Sequence, residues 1–403
     1  MFKLGYVPIV LFSVGIGLKL YSLAFVEPPM GPFIDECRKS CTYSETNPFH
    51  DFICVVEPFF KDLITNDIGK SLFTAFGMSG TVFSTSLYIK GGEGRGSALF
   101  SPLILVANGL AGQALGVGIV AGPIVLPTLL AISKTLAPAN GPAPSPPTYS
   151  YTVTLLAAQF GVFLLSMTVS SIAVTNPNWP YVNYAFQAFP LLFLSLALHP
   201  RSTPHKDTPT PTLTVSTFTV FKYLYAPLWW VTVAPGLNAY FRAGETFSLP
   251  SYFMALSFAG YVLTFLAFYA LDFVAGEAQA VMGVSRLVVG LLVAGPTSTM
   301  ATYFERKQRL SVDRAEAERI KLKYGPQYGS LKGIQRLEKK ISPTKVFFLG
   351  VGRPPPPPPR GKLPFWAPKR GPFAIFFRAS SLYILPASIP MFRSRKVKMS
   401  FEN

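Results

Sequence analysis

Apolar residues in this chain fall into windows of about 20 residues, separated by short polar connectors. Each window is about long enough to cross a 30 Å hydrocarbon layer as an α-helix rising 1.5 Å per residue. The pattern predicts an all-α, polytopic transmembrane helical bundle with seven to nine spans, eight being favoured. The windows cover residues 4–26, 71–90, 97–121, 150–174, 181–199, 213–235, 251–273 and 279–303.

Two stretches depart from this simple pattern. The apolar stretch 97–134 is too long for one crossing and is interrupted by Gly122, Pro123 and Pro127. We expect either one span followed by a re-entrant piece or a tight hairpin. In the loop before the second window, apolar and acidic residues alternate between Asp51 and Asp67 in the way a surface helix requires, so this helix is expected to lie on the membrane plane.

The order of these segments predicts the domain organisation. The first window has no small-residue cleavage site before Glu27, so it is interpreted as an anchor rather than a cleaved signal peptide. Beyond Ser342 the chain has a proline run and scattered basic residues without a period, which indicates a low-complexity tail or non-native translation of an intron. The predicted parts are an anchor at 1–26, a polar loop with an interfacial helix at 27–70, a transmembrane bundle at 71–304, a basic juxtamembrane helix at 305–341 and the tail at 342–403.

Composition and charge strengthen the membrane interpretation. Half of the residues are hydrophobic and 14% are charged, against about 25% charged in soluble proteins. This excludes a large soluble catalytic domain and disfavours nucleic-acid binding. Residues 305–403 carry +16 of the net charge of +17. A basic segment after a near-neutral apolar body predicts a cytoplasmic C-terminus at an anionic lipid surface, with the endoplasmic reticulum as the expected membrane.

The cysteines and histidines limit the chemistry that the chain can perform. Cys37, Cys41 and Cys54 lie in one polar stretch, where a single disulfide is expected if the loop is lumenal. Cys37 and Cys41 with His50 lack the ligand number of a dependable zinc site. Three histidines in the whole chain also disfavour haem and di-iron centres, and the predicted cofactor set is empty.

Ionisable residues inside apolar windows are costly unless they are paired or face a polar cavity. Lys222 lies in the sixth window, and snorkelling to the headgroups is the simplest interpretation for such a long side chain. Arg286 lies about 12 Å into the eighth window at 1.5 Å per residue. This depth favours a partner, for which Asp272 and Glu277 are the nearest candidates.

The seventh window contains a stripe of rings that ends in a carboxyl group. Its spacings of three, four, three and four residues place the members on one helical face. Aromatic faces attract cations, and a carboxyl group can start a carbocation reaction by protonating an alkene or epoxide. The alternative is ordinary helix packing or lipid contact. The stripe consists of Phe258, Tyr261, Phe265, Phe268 and Asp272.

Several stretches together resemble the fungal integral-membrane terpene cyclases encoded in ascofuranone-type meroterpenoid gene clusters. The resemblance covers about residues 50–310 and rests on the order of the stretches rather than on any one of them. They are Phe52–Phe60, Glu93–Arg95, Gly112–Pro123, Ala185–Pro190, and Gly295-Pro296 leading to Arg306.

The resemblance implies acid-started cyclisation of a prenyl or epoxyprenyl chain in secondary metabolism, without a metal. It makes Glu93 the leading candidate for the catalytic acid and gives Arg95 the role of orienting that acid or holding a head group. Asp272, at the end of the aromatic stripe, is the other candidate acid. Gln113 and Gln187 would line the cavity. The expected partners are the lipid bilayer and a hydrophobic prenylated small molecule.

Two other function classes remain open at this point. A small-molecule transporter or exporter of the same kind of gene cluster would have a similar composition, although such proteins commonly contain repeats with paired broken helices. A non-catalytic receptor or scaffold is also compatible with short connectors and sparse charge.

Overall fold

The structure of the chain, a computed structural model, is helical throughout its described part. It describes residues 4–26, 30–39, 48–93, 98–136, 147–199, 210–243 and 247–324. No β-strand occurs in these ranges, which confirms the all-α prediction. They all belong to one unit, which spans Met1–Pro343. The predicted tail at 342–403 lies outside the described residues, as does Arg95.

The helices follow one another through short connections. In chain order they are α1 (Tyr6–Phe25), α2 (Met30–Lys39), α3 (Pro48–Thr65), α4 (Asp67–Gly92), α5 (Pro102–Leu115), α6 (Leu126–Leu136), α7 (Tyr149–Ser171), α8 (Trp179–Gln187), α9 (Thr210–Leu228), α10 (Ala234–Ala243), α11 (Leu249–Val274), α12 (Ala278–Val281), α13 (Val284–Val293) and α14 (Pro296–Tyr324). A π-helical segment, Val117–Val125, leads into α6, and another, Trp229–Val233, joins α9 to α10. A 3-10 segment, Phe189–Leu198, follows α8.

Four of the helices in the described ranges are long and apolar enough to cross a membrane, namely α1, α4, α7 and α11. A fifth crossing results if α8 and Phe189–Leu198, which meet at a bend of 44°, form one broken span. Large apolar side chains such as Phe12 and Phe160 stay exposed on these helices, where lipid tails would cover them. The membrane class is supported, but the predicted number of seven to nine spans is not confirmed.

Helices α4 and α11 run parallel through the centre of the bundle. Phe76 of α4 packs against Tyr261 of α11, with ring centroids 5.4 Å apart. Further along both helices, Phe83 packs against Phe268 at 5.7 Å. The C-terminal ends of α4 and α11 therefore lie at the same end of the bundle, which is called the charged end below. The other end, where Asn66 joins α3 to α4, is called the α3 end.

The long apolar stretch 97–134 folds as a hairpin. Its first arm, α5, starts beside the C-terminal end of α4, where Gly91 is in close contact with the Phe100 carbonyl. The chain turns at Gly116, which has a φ of 81° and packs against the Phe253 ring near the N-terminus of α11. The second arm returns along α11 to place Lys134 against Asp272. This reversal of the chain is common to both sequence-based alternatives, and the choice between them stays a prediction.

A second hairpin replaces the predicted eighth span. Helix α13 has ten residues, about 15 Å at 1.5 Å per residue, which is half of a hydrocarbon layer. The chain turns at Gly295, which has a φ of 81°. Because glycine has no Cβ, the Cα of Gly295 packs directly on the Trp229 indole. Helix α14 then begins beside the middle of α4, where Thr297 and Ser79 share a hydrogen bond of 2.8 Å. The window 279–303 is thus a hairpin of two helices, and its crossing as one span is not confirmed.

Helix α3 packs across the α3 end of the bundle and forms where an amphipathic helix was predicted. Tyr184 of α8 donates a hydrogen bond of 2.9 Å to Glu57, and Ser248, the N-cap of α11, donates one of 2.6 Å to Asp62. Cys54 on α3 is part of a disulfide, as expected for this loop. Burial, together with the neighbouring Glu36, raises the pKa of the Cys37 thiol. The orientation of α3 on a membrane plane stays a prediction.

Candidate functional site

Asp272 lies at the centre of a network of charges at the charged end. Its side chain is fully buried. One carboxylate oxygen accepts a hydrogen bond from Lys134 of α6. The other accepts hydrogen bonds from the Tyr303 hydroxyl and, at 2.6 Å, from Lys307 of α14. Glu277 completes the network, with its carboxylate 3.9 Å from Lys134. We call Lys134, Asp272, Glu277, Tyr303 and Lys307 the Asp272 network.

This network joins three helices that are distant in sequence. A buried carboxylate is expensive unless opposite charges and hydrogen bonds compensate it, and Asp272 receives both from α6 and α14. Its oxygens are therefore occupied by ion-pair partners. This arrangement favours an anchoring role for Asp272 over the predicted role as a proton donor.

The partners expected for the two cations in apolar windows need correction. Arg286 is exposed, because α13 lies on the outside of the bundle, and the carboxylate of Asp272 pairs with Lys134 and Lys307 instead. Lys222 was expected to reach the headgroups. It donates a hydrogen bond of 3.2 Å to Glu305 of α14, so an intramolecular acid takes the place of lipid.

The aromatic stripe on α11 lies on one helical face, as its spacing predicted, and packs between helices. Tyr261 stacks on Phe83 with centroids 5.4 Å apart, and Phe265 meets Tyr303 edge-on at 5.5 Å. Phe258, at the other end of the stripe, is half-buried against Trp229 at 5.8 Å. The shared face is confirmed, and its rings contact rings of α4 and α14. A catalytic role for the stripe stays a prediction.

Glu93 is buried at the C-terminal end of α4, with 8% of its surface exposed. Lys90, one turn earlier, donates a hydrogen bond of 3.2 Å to its carboxylate. The two residues before Glu93 are glycines that bring other segments close. A Cβ on Gly91 would collide with the Phe100 carbonyl, and one on Gly92 would collide with the Tyr151 ring. The sequence Gly91-Gly92 thus creates the tight surroundings of Glu93.

Rings near the C-terminal end of α4 form a second aromatic group, in the same hydrophobic core as the α11 stripe. Tyr88 stacks on Phe193 with centroids 4.5 Å apart, and the Tyr151 hydroxyl donates a hydrogen bond of 2.8 Å to the Tyr88 carbonyl. Together with Phe100 these side chains are all buried. We call Tyr88, Phe100, Tyr151 and Phe193 the Glu93 ring group. Sequence reasoning missed it because its members come from four segments and share no spacing.

The predicted polar lining residues do not gather around Glu93. Gln187 donates a hydrogen bond of 3.2 Å to Asn183 on the same helix, and the neighbouring Phe186 packs on Phe73 of α4 at 5.6 Å. Residues 73 and 93 are 20 positions apart, about 30 Å along the α4 direction. Gln113 is half-buried near Gly116, also towards the α3 end. The structure therefore separates Gln113 and Gln187 from Glu93.

Among the described residues, no group of three His, Cys, Asp or Glu side chains is arranged to hold a metal ion. Comparison of the chain with protein-family models, with curated proteins and with solved structures finds no match.

Proposed function

We propose that this protein is a membrane-bound terpene cyclase that closes rings on a prenyl or epoxyprenyl chain by acid-initiated carbocation chemistry. The observation that carries the proposal is the burial of Glu93 at one end of an apolar bundle, directly after the two glycines that contact Phe100 and Tyr151. A reaction of this kind needs a proton source and electron-rich walls in a dry environment, and it needs no metal-bound diphosphate.

In the proposed reaction Glu93 transfers a proton to the epoxide oxygen or to the terminal alkene. The breaking C–O or C=C bond leaves a carbocation, which the π electrons of the next double bond attack to close a ring. The carbocation then loses a proton from carbon and becomes neutral, so the product is an isomer of the substrate. The rings of Tyr88, Tyr151 and Phe193 would stabilise the cation through their π faces.

Lys90 has a defined part in this scheme. Its side chain is 38% exposed, whereas that of Glu93 is 10% exposed. The ammonium group therefore links the buried carboxyl group to water across a contact of 3.2 Å. We assign Lys90 to positioning the Glu93 carboxyl group. Arg95, to which the resemblance gave the role of orienting the acid, lies outside the described residues.

The test is cyclisation by microsomes that contain the full chain. Incubation with epoxyprenyl phenols is expected to give a product of unchanged mass and shifted retention time. Glu93→Gln should lower turnover by at least about 10²-fold, the lower bound for a general acid, while protein level and membrane insertion stay the same. Lys90→Met should cause a smaller loss, because the acid itself remains.

Glu57→Gln is the matched control. Glu57 is also a poorly exposed glutamate that pairs with a lysine of its own helix, at 2.7 Å from Lys61, but it lies at the α3 end. The Glu57→Gln variant should cyclise the substrate at the wild-type rate. Full turnover by Glu93→Gln, or equal losses in the two variants, would remove Glu93 as the acid.

The alternative, a small-molecule transporter, is favoured by one specific observation. The half-depth hairpin of α13 and α14 and the turn at Gly116 are interruptions of the kind that transporters place at a binding site. Uptake of a prenylated compound into vesicles without chemical change, with full activity of Glu93→Gln, would support this function over cyclisation.

A further inference from the structure

One basic residue at the charged end has no partner in the described part of the chain. Arg286 is exposed on α13, and neither a hydrogen bond nor an ion pair joins it to another described residue. Arg306 donates a hydrogen bond of 3.4 Å to the Val281 carbonyl. The remaining lysine and arginine side chains described at this end are paired with acids, namely Lys90 with Glu93, Lys134 and Lys307 with Asp272, Lys222 and Arg309 with Glu305, and Arg314 with Glu277.

Helix α13 begins near the charged end and leads away from it. The carbonyl of Met282, two residues before α13, accepts a hydrogen bond of 2.9 Å from Tyr269, which lies one turn before Asp272 on α11. From there α13 runs to the turn at Gly295, after which α14 begins beside the middle of α4. The surface of α13 therefore extends from the charged end to about half the length of the bundle.

The outward surface of α13 is apolar apart from its first turn. Arg286, Val289 and Val293 follow one another at spacings of three and four residues, so they lie on one side of the helix. At the inner end the Trp230 N–H donates a hydrogen bond of 2.7 Å to the Val293 carbonyl, and the Trp230 side chain is exposed. The exposed apolar side chains of α13, each between 47% and 71% accessible, are Val284, Val288, Val289, Leu292 and Val293.

This combination of a cation and an apolar surface fits a phospholipid. An unpaired ion beside hydrocarbon is costly, so a lipid-facing arginine needs a counter-charge. A phosphate group supplies one, because the guanidinium fork can donate two hydrogen bonds to phosphate oxygens. The ten residues of α13 measure about 15 Å, which is the depth of one leaflet of a 30 Å hydrocarbon layer. An acyl chain attached to a phosphate at Arg286 would therefore follow α13 as far as the turn.

A second copy of this chain is a poorer occupant of the same surface. Homo-oligomers commonly pair the same patch of both subunits. At α13 such a contact would bring two unpaired Arg286 side chains together, and α13 contains no acidic residue to compensate them. The charge of the surface therefore favours an anionic lipid over a symmetric dimer.

We propose that the exposed surface of α13 binds one anionic phospholipid of the leaflet at the charged end. Its phosphate would contact Arg286, and one acyl chain would lie along Val289, Val293 and the Trp230 ring. We call this surface the α13 lipid site. It requires only that the bundle lies in a membrane, and it is independent of the proposed cyclisation.

The test is photo-crosslinking of the full chain in phosphatidylcholine nanodiscs that contain a trace of probe lipid. Two probes carry the same diazirine-labelled acyl chain on a phosphatidylglycerol or a phosphatidylcholine headgroup, and mass spectrometry maps the cross-links. The phosphatidylglycerol probe should label Val284–Val293 about fivefold more than the phosphatidylcholine probe, the factor expected for one basic residue near anionic lipid. Equal labelling by the two probes, or labelling of α13 by neither, would overturn the proposal.

Arg286→Gln removes the charge and should abolish the preference, so that both probes label α13 equally. The variant should fold normally, because Arg286 is exposed and surface substitutions change stability little. Arg286→Lys keeps the charge and should retain most of the preference. If Arg286→Gln labels as wild type does, Arg286 does not bind the headgroup and the proposal is wrong.

Arg314→Gln is the matched control. It also removes one exposed arginine from the charged end, but Arg314 lies 3.6 Å from Glu277 and outside α13. This variant should keep the labelling preference of α13. Equal losses in Arg286→Gln and Arg314→Gln would mean that the overall charge of this end attracts the probe, and the α13 lipid site would be rejected.

The outcome is separable from that of the cyclase proposal. Glu93→Gln should keep the labelling preference of α13, since the charge that binds the headgroup belongs to Arg286. Loss of cyclisation together with intact labelling would support both assignments, and absence of cyclisation in wild type would leave the α13 lipid site unaffected.

Discussion

Asp272 and Asn183 are both fully buried polar residues, yet the chain treats them differently. The carboxylate of Asp272 receives hydrogen bonds from Lys134, Tyr303 and Lys307, contributed by α6 and α14. The amide of Asn183 contacts only Gln187 on its own helix, and one of its atoms is left over among the described residues.

The difference separates two uses of a polar group in an apolar bundle. A group whose hydrogen bonds are all made within the chain ties helices together. A group with an unused donor keeps a desolvation cost that no hydrogen bond offsets. Removing the first should therefore destabilise the fold more than removing the second.

The largest effect is expected for Asp272→Asn. The change leaves Lys307 without the counter-charge of Asp272 and leaves Lys134 with only Glu277, at 3.9 Å. Breaking one partner of a buried ion pair costs about 3–5 kcal/mol. We expect a strongly lowered Tm in detergent and a smaller monodisperse fraction by size-exclusion chromatography. Addition of Lys134→Met should recover part of the loss, because it removes one uncompensated cation.

Asp313→Asn provides the control for this change. Asp313 is an exposed residue of α14, and surface substitutions of this kind stay within about 0.5 kcal/mol. Equal Tm values for Asp272→Asn and Asp313→Asn would show that the Asp272 network does not stabilise the bundle.

Tyr303→Phe should have an intermediate effect. It removes the hydroxyl that donates to Asp272 and keeps the ring that packs on Phe265. A hydrogen bond to a charged group contributes about 1.5–3 kcal/mol, to be measured as a difference in unfolding free energy. Tyr269→Phe removes a neutral hydrogen bond of 2.9 Å to the Met282 carbonyl and should cost about 1 kcal/mol. The reverse order would contradict the special role of the carboxylate.

The smallest effect is expected for Lys222→Met. Glu305 loses the contact of 3.2 Å to Lys222 but keeps two hydrogen bonds, of 2.8 and 3.1 Å, from Arg309. Lys222 is also 28% exposed, so solvent screens the pair, and we expect a loss below about 1 kcal/mol. A loss as large as that of Asp272→Asn would mean that partial exposure does not weaken this ion pair.

Sequence periodicity was sufficient to predict the helices that run through the whole length of the bundle. The windows 4–26, 71–90, 150–174 and 251–273 correspond to α1, α4, α7 and α11, because an apolar run of that length has few other solutions. The face shared by the α11 stripe also followed from spacing alone. Both features are local, and local patterns are what a single sequence contains.

The hairpins and the partners of the charges could not be predicted in the same way. Lys134 and Asp272 are 138 positions apart, and only the turn at Gly116 brings them together. The half-depth turn at Gly295 depends on the Trp229 ring that covers it, which no window of the α13 region contains. Glu93 was found by resemblance, but its ring group depends on packing between four segments.

The short length of α13 has a consequence for the biogenesis of the protein. A helix of ten residues cannot be inserted as an independent spanning segment, since it reaches only halfway through the hydrocarbon layer. The turn at Gly295, which follows α13, packs on the indole of Trp229 in the segment between α9 and α10. The α13–α14 pair must then enter after those helices are in place, which makes its docking a late step of assembly inside the lipid.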